Sequence, residues 1–178
     1  MSKKINVLKI ISEHFFTLEH DETKRILFID ILVFCLLPIA LAIVSIFINL
    51  DLNKDFVGAA INFGAIFSAL LMSVLMLVYD QESKVQERIK ANKDLKISVD
   101  LLELKRDLLK QLYHNICFTV ICSVFIVLVC LIKSALPDSL SFVDRFILTP
   151  LVIMLVYSIT ITCLLVIKRM HSLLHNSD

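Results

Sequence analysis

The chain is 178 residues long and 58% apolar, with a mean hydropathy of +0.84 and a formal net charge of +1. Soluble domains run at about 45–50% apolar. With two glycines, three prolines and no tryptophan, the composition excludes collagenous, low-complexity, disulfide-scaffold and disordered classes and leaves an all-α integral membrane protein.

Residues 1–25 read as an amphipathic segment. Val7, Ile10, Ile11, His14, Phe15 and Leu18 recur at helical spacing, opposite Lys4, Lys9, Ser12, Glu13 and Glu19. Such a helix lies on a membrane interface or docks on the hairpin. The first apolar run starts near residue 26 and is far longer than a signal-peptide core, so no cleavable signal is expected.

Four stretches reach the roughly 20 apolar residues that cross a hydrocarbon core. They are residues 26–49, 56–79, 113–132 and 146–167. Spans one and two occupy 26–79, and spans three and four occupy 113–167. Between them, residues 80–112 contain no Gly or Pro and are rich in Lys, Glu, Leu and Gln, which favour helix. Spans two and three therefore extend into a polar helical hairpin, broken near Ala91-Asn92-Lys93-Asp94. The expected fold is a tetra-span helical protein with a tail at 168–178.

Charge orients it. Residues 1–25, the hairpin and the tail together carry 15 Lys and Arg, whereas the opposite side has only Lys54, Lys133 and Arg145. Basic residues prefer the cytoplasmic side, so both termini and the hairpin are expected there. The outer loops are too small to form a domain.

The hairpin arms are unequal. Leu101, Leu104, Leu108 and Leu112 lie on one line of the second arm, with Leu95, Leu102 and Leu109 on a neighbouring line. The first arm offers mainly Val85 and Ile89. The uncovered stripe is expected to meet the N-terminal segment, another copy or a soluble protein. Val85, Ile89, Leu101, Leu104 and Leu108 are the candidate partner-binding residues.

Within the spans, Asp30 is the sole acidic side chain, about one turn from the cytoplasmic end of span one. A membrane carboxylate is costly and often functional, but here pairing with Arg25, Lys168 or Arg169 is the favoured reading. Span two carries small residues four apart: Ala60, Gly64 and Ser68, and also Ala65, Ala69 and Ser73. Small residues let helices approach closely, which makes Ala60, Asn62, Gly64 and Ser68 a candidate oligomer or pore seam.

Chemistry is poorly represented. Cys35, Cys117, Cys122, Cys130 and Cys163 all lie within spans and form no C-x-x-C pair. They read as small hydrophobes rather than redox groups. His171 and His175 are spaced i, i+4, but no H-E-x-x-H motif surrounds them. Pro38 and Pro150 sit in or near span ends as candidate kinks. No catalytic residue, metal site or cofactor is expected. The hairpin's eight basic and seven acidic side chains argue against direct nucleic-acid binding.

Four apolar runs, an almost bare outer side and the hairpin DQESKVQERIKANKDLKISVDLLELKRDLL together resemble the KwaA-like membrane subunit of the Kiwa bacterial anti-phage defence system. The resemblance covers the whole chain and is one of architecture, with no family site to carry over. It implies a homo-oligomer, taken as a tetramer, in the bacterial inner membrane. It also implies an envelope sensor and scaffold that recruits a cytosolic DNA-binding KwaB-like partner. The alternative is a channel-forming effector that depolarises the membrane, with span two lining the pore. A proton-coupled transporter using Asp30 is a third, weaker reading, because the spans offer no second acidic partner.

Overall fold

The computed structural model describes residues 10–12, 14, 32–91, 96–137 and 141–175. The described residues are helical, with no strand among them. A π-helical turn at Leu32–Leu36 leads into α1, Leu37–Phe47. Two long helices follow, α2 at Lys54–Ala91 and α3 at Lys96–Ala135. A short turn at Ser141–Val143 and a second π-helical turn at Asp144–Leu148 precede α4, Thr149–His175.

Three of these helical stretches are long and apolar enough to cross a membrane: Lys54–Ala91, Leu102–Ala135 and Asp144–His171. Span one, expected at 26–49, is described only in part. Its described part, Leu32–Phe47, is a short apolar helix of about 24 Å at 1.5 Å per residue, below the roughly 30 Å of a hydrocarbon core. Residues 26–31 of the expected span, Asp30 among them, lie outside the described residues.

Local chemistry sets the helix ends. Asn49 has φ 55°, the left-handed region that Asn tolerates better than most residues. It closes α1 with two hydrogen bonds: the Asn49 N–H donates to the Ile46 carbonyl (3.2 Å) and the Leu50 N–H to the Ser45 carbonyl (3.0 Å). This stops the helix at Phe47, two residues before the expected end. Asn53 then caps α2, its Oδ1 accepting from the Phe56 N–H at 2.8 Å. The α2 helix runs from Lys54 to Ala91 and α3 starts at Lys96; Asn92, Lys93 and Asp94 of the expected break lie outside the described residues. Each membrane proline follows a π-helical turn, Pro38 after Leu32–Leu36 and Pro150 after Asp144–Leu148. A proline lacks the N–H that would continue the ladder, and the wider turn ahead of it absorbs the change of register.

The helices pack in the order α2–α3–α4–α1, with α3 central and its pairing with α2 the most extensive. One core joins α2, α3 and α4 through Val57, Ala60, Ile126, Val129, Val152, Leu155 and Ile159. A second core continues below it through Val78, Val85, Leu109, Leu112 and Ile116, with Ile89 and Leu102 against it. So α2 and α3 remain paired beyond the apolar runs 56–79 and 113–132, as far as Ile89 and Leu102. Their lengths are about 57 and 60 Å, nearly twice a hydrocarbon core. Large apolar side chains such as Ile66, Leu70, Met76, Leu77, Phe125, Leu128 and Ile167 are exposed along the outside, as a lipid-facing belt requires.

Candidate functional site

Among the described residues of α3, the Thr119 and Ser123 hydroxyls are buried on the carbonyls of their own helix, and Asn115 and Lys133 are buried against side chains from elsewhere in the chain. Lys133, in its last turn, is 6% exposed at the side chain. Its Nζ donates to both carboxylate oxygens of Asp144, at 2.5 and 2.6 Å, and approaches Thr149 Oγ1 at 3.5 Å. Asp51, in the α1–α2 connection, stands at 3.7 Å. This cluster ties the connection, the end of α3 and the start of the last span together.

The other cluster is neutral. Asn115 and Phe118 lie one turn apart on α3, so they share a face. His14 packs there, 1% exposed, with Nδ1 2.7 Å from Asn115 Oδ1. With that oxygen as acceptor, Nδ1 carries the proton. The imidazole stacks on the Phe118 ring at 4.0 Å and 2°, and meets the Phe34 ring edgewise at 6.2 Å. Burial lowers the His14 pKa to about 4; the Asn115 hydrogen bond opposes the shift and the Arg169 charge on α4 adds to it. His14 is thus neutral near pH 7, which is how a buried imidazole beside a cation avoids the cost of charging.

Beside His14 lies a cavity of about 220 Å³. Phe34 and Cys35 reach it from the first π-helical turn, Pro38 and Ile39 from α1, Phe118 from α3, and Met154, Ser158, Ile161 and Thr162 from α4. Its two hydroxyls are spent on their own helix: Ser158 Oγ donates to the Met154 carbonyl and Thr162 Oγ1 to the Ser158 carbonyl, both at 2.8 Å. The wall is therefore apolar, apart from the His14 ring.

The residues singled out by spacing fall on different surfaces. Val85 is buried and Ile89 half-buried in the hairpin core, facing Leu102, Leu109 and Leu112. Leu104 is 49% exposed and Leu108 half-buried. The side chain of Leu101 lies outside the described residues. In α2, Ala60 is buried in the core shared with α3 and α4. A Cβ on Gly64 would stand 2.8 Å from the Ser123 carbonyl oxygen and equally close to Ile126 and Val127. Gly64 therefore faces the chain's own α3, in a crossing too close for any side chain. Ser68 donates to the Ala65 carbonyl at 3.0 Å. Asn62, Ala65, Ala69 and Ser73 are exposed.

Among the described residues, no group of three or more His, Cys, Asp or Glu side chains is placed to hold a metal ion. His171 is exposed, and the side chain of His175 lies outside the described residues. The His14–Asn115 pair is the feature that spacing did not isolate. His14 stood on the apolar stripe of its helix, and Asn115 was one polar residue near a span boundary. Their sequence separation of 101 residues hides the contact from any local pattern. No family model, curated protein or solved structure matches the chain.

Proposed function

We propose that the chain is a non-enzymatic membrane scaffold and sensor subunit that presents its polar hairpin on the cytoplasmic side to a soluble partner. The observation that carries this reading is the continuation of α2 and α3, as a packed pair, well past the apolar runs 56–79 and 113–132. A membrane anchor alone needs no such extension. Pairing consumes Val85, Leu109 and Leu112 and leaves Leu104 outward among Glu103, Lys105 and Asp107. An apolar side chain ringed by charge on a helix suits a soluble protein better than lipid.

The architectural resemblance to Kiwa membrane subunits supports reading this scaffold as part of bacterial anti-phage defence, at the inner membrane, with a KwaB-like DNA-binding protein as the partner. Four spans with both termini cytoplasmic complete the topology, by the distribution of Lys and Arg. Self-association would use the outward face of α2, where Asn62, Ala65, Ala69 and Ser73 are open. The channel alternative has less to stand on, because Gly64 packs against α3 within one protomer.

The test is co-purification with a KwaB-like protein after co-expression. Leu104→Glu is expected to abolish capture while leaving insertion and melting temperature unchanged. Capture that survives Leu104→Glu contradicts the hairpin as the docking surface.

A further inference from the structure

The cavity beside His14 has properties that belong to neither the hairpin nor the self-association face. It is a half-open cavity bounded by four segments of the chain and lined almost wholly by carbon and sulfur. Its volume of about 220 Å³ exceeds the ~150 Å³ at which an apolar cavity stays dry and takes up benzene. Water gains little there, because the Ser158 and Thr162 hydroxyls already donate to backbone carbonyls and a buried water needs two to four polar partners.

Shape and access narrow the occupant. The α4 residues on the wall run from Met154 to Thr162, about 12 Å along the helix axis. That elongation suits a linear chain. Ile39 lines the cavity yet is 51% exposed, and Leu36 and Leu37 beside it are exposed too. The cavity is therefore continuous with the apolar outer surface of α1. Two of its walls, α3 and α4, belong to stretches long and apolar enough to cross a membrane. In a bilayer, the molecule waiting at such a mouth is a lipid tail.

We propose that this cavity binds one alkyl chain of a bilayer phospholipid, inserted past Ile39 between α1 and α4 with its end against the His14 ring. The bound chain thus contacts His14 of the N-terminal segment directly. This inference stands apart from the scaffold reading and requires only that the protein sits in a bilayer.

The absence of tryptophan gives a direct test. Phe34→Trp places a lone indole on the cavity wall, and Leu128→Trp places one on the exposed face of α3. Each full-length variant is reconstituted in phosphatidylcholine vesicles in which the acyl chains are dibrominated. Bromine quenches indole only on contact. The expected result is strong quenching for both variants. Filling the cavity with Ser158→Phe should then cut quenching roughly threefold for Phe34→Trp and leave Leu128→Trp unchanged. Cys35→Leu, a smaller filling, gives the same reading if Ser158→Phe does not insert. Negligible bromine quenching at Phe34→Trp overturns the proposal. Quenching that neither filling reduces overturns it too, as does quenching by aqueous iodide in place of brominated lipid.

Discussion

The two polar clusters on α3 differ in how they satisfy burial. At Lys133 the charges are kept and paired, with Asp144 in direct contact and Asp51 near by. At His14 the imidazole itself is uncharged beside the Arg169 cation, and it bonds to a carboxamide and stacks on a phenyl ring. Asn115 and Lys133 are eighteen positions apart in the sequence, about 27 Å along the helix, close to the roughly 30 Å of a hydrocarbon core. The apolar stretch of α3 thus ends in an ion pair on one side and a hydrogen-bonded neutral pair on the other. Ionised groups are affordable where water reaches one partner, and Asp51 is 88% exposed. At His14 the partners are shut away, and neutrality is the cheaper state.

Breaking the ion pair should have the largest effect. Lys133→Met leaves Asp144 without its cation. Because Asp144 is a quarter exposed, the loss should fall near the low end of the range for buried pairs, about 3 kcal/mol. Thermal unfolding in detergent measures it. The double change Lys133→Met with Asp144→Leu should recover most of the loss, since an apolar pair has no charge to strand. At the neutral end, Asn115→Leu removes the acceptor of the His14 ring, and a loss of about 2 kcal/mol is expected. The expected sign is faster hydrogen exchange at residues 10–14, with the Lys133 cluster unaffected. Between the ends, Gly64→Ala should cost about 1–2 kcal/mol through overpacking against the Ser123 carbonyl. It should lower stability while leaving exchange at residues 10–14 no faster than the rest of the bundle. Equal loosening of all three places would mean that the clusters are not separate.

The smallest effect is a pH dependence confined to the neutral end. His14 titrates at about 4 when docked and near 6.5 when exposed, so the undocked state binds more protons between those values. Docking is then fully stabilised above about pH 6.5 and weakens as pH falls toward 4. At pH 5.5 the loss should be about 1 kcal/mol. Trypsin cleavage within residues 1–25, followed against pH, should rise across that window, and His14→Phe should flatten the profile.

Hydropathy and the scarcity of Gly and Pro made the three long apolar helices legible, because each is a local, repetitive pattern. The first span was harder to bound. Its end depends on Asn49 adopting a left-handed conformation, a choice that apolarity does not reveal. The direction of the small-residue face was also hidden. Spacing placed Ala60 and Gly64 on one line of α2 but could not say that α3 of the same chain would cover it. Asp30 lies outside the described residues. The His14–Asn115 contact required the fold itself, since nothing within either helix marks the other as its partner.

Orientation of the hairpin decides the account most directly. In intact bacterial cells, a membrane-impermeant maleimide should label Asp51→Cys, next to the Lys133 cluster. It should label Glu87→Cys, on the exposed side of the hairpin, only after the inner membrane is permeabilised. Labelling of Glu87→Cys in intact cells, with Asp51→Cys protected, would place the hairpin outside and contradict a cytoplasmic scaffold.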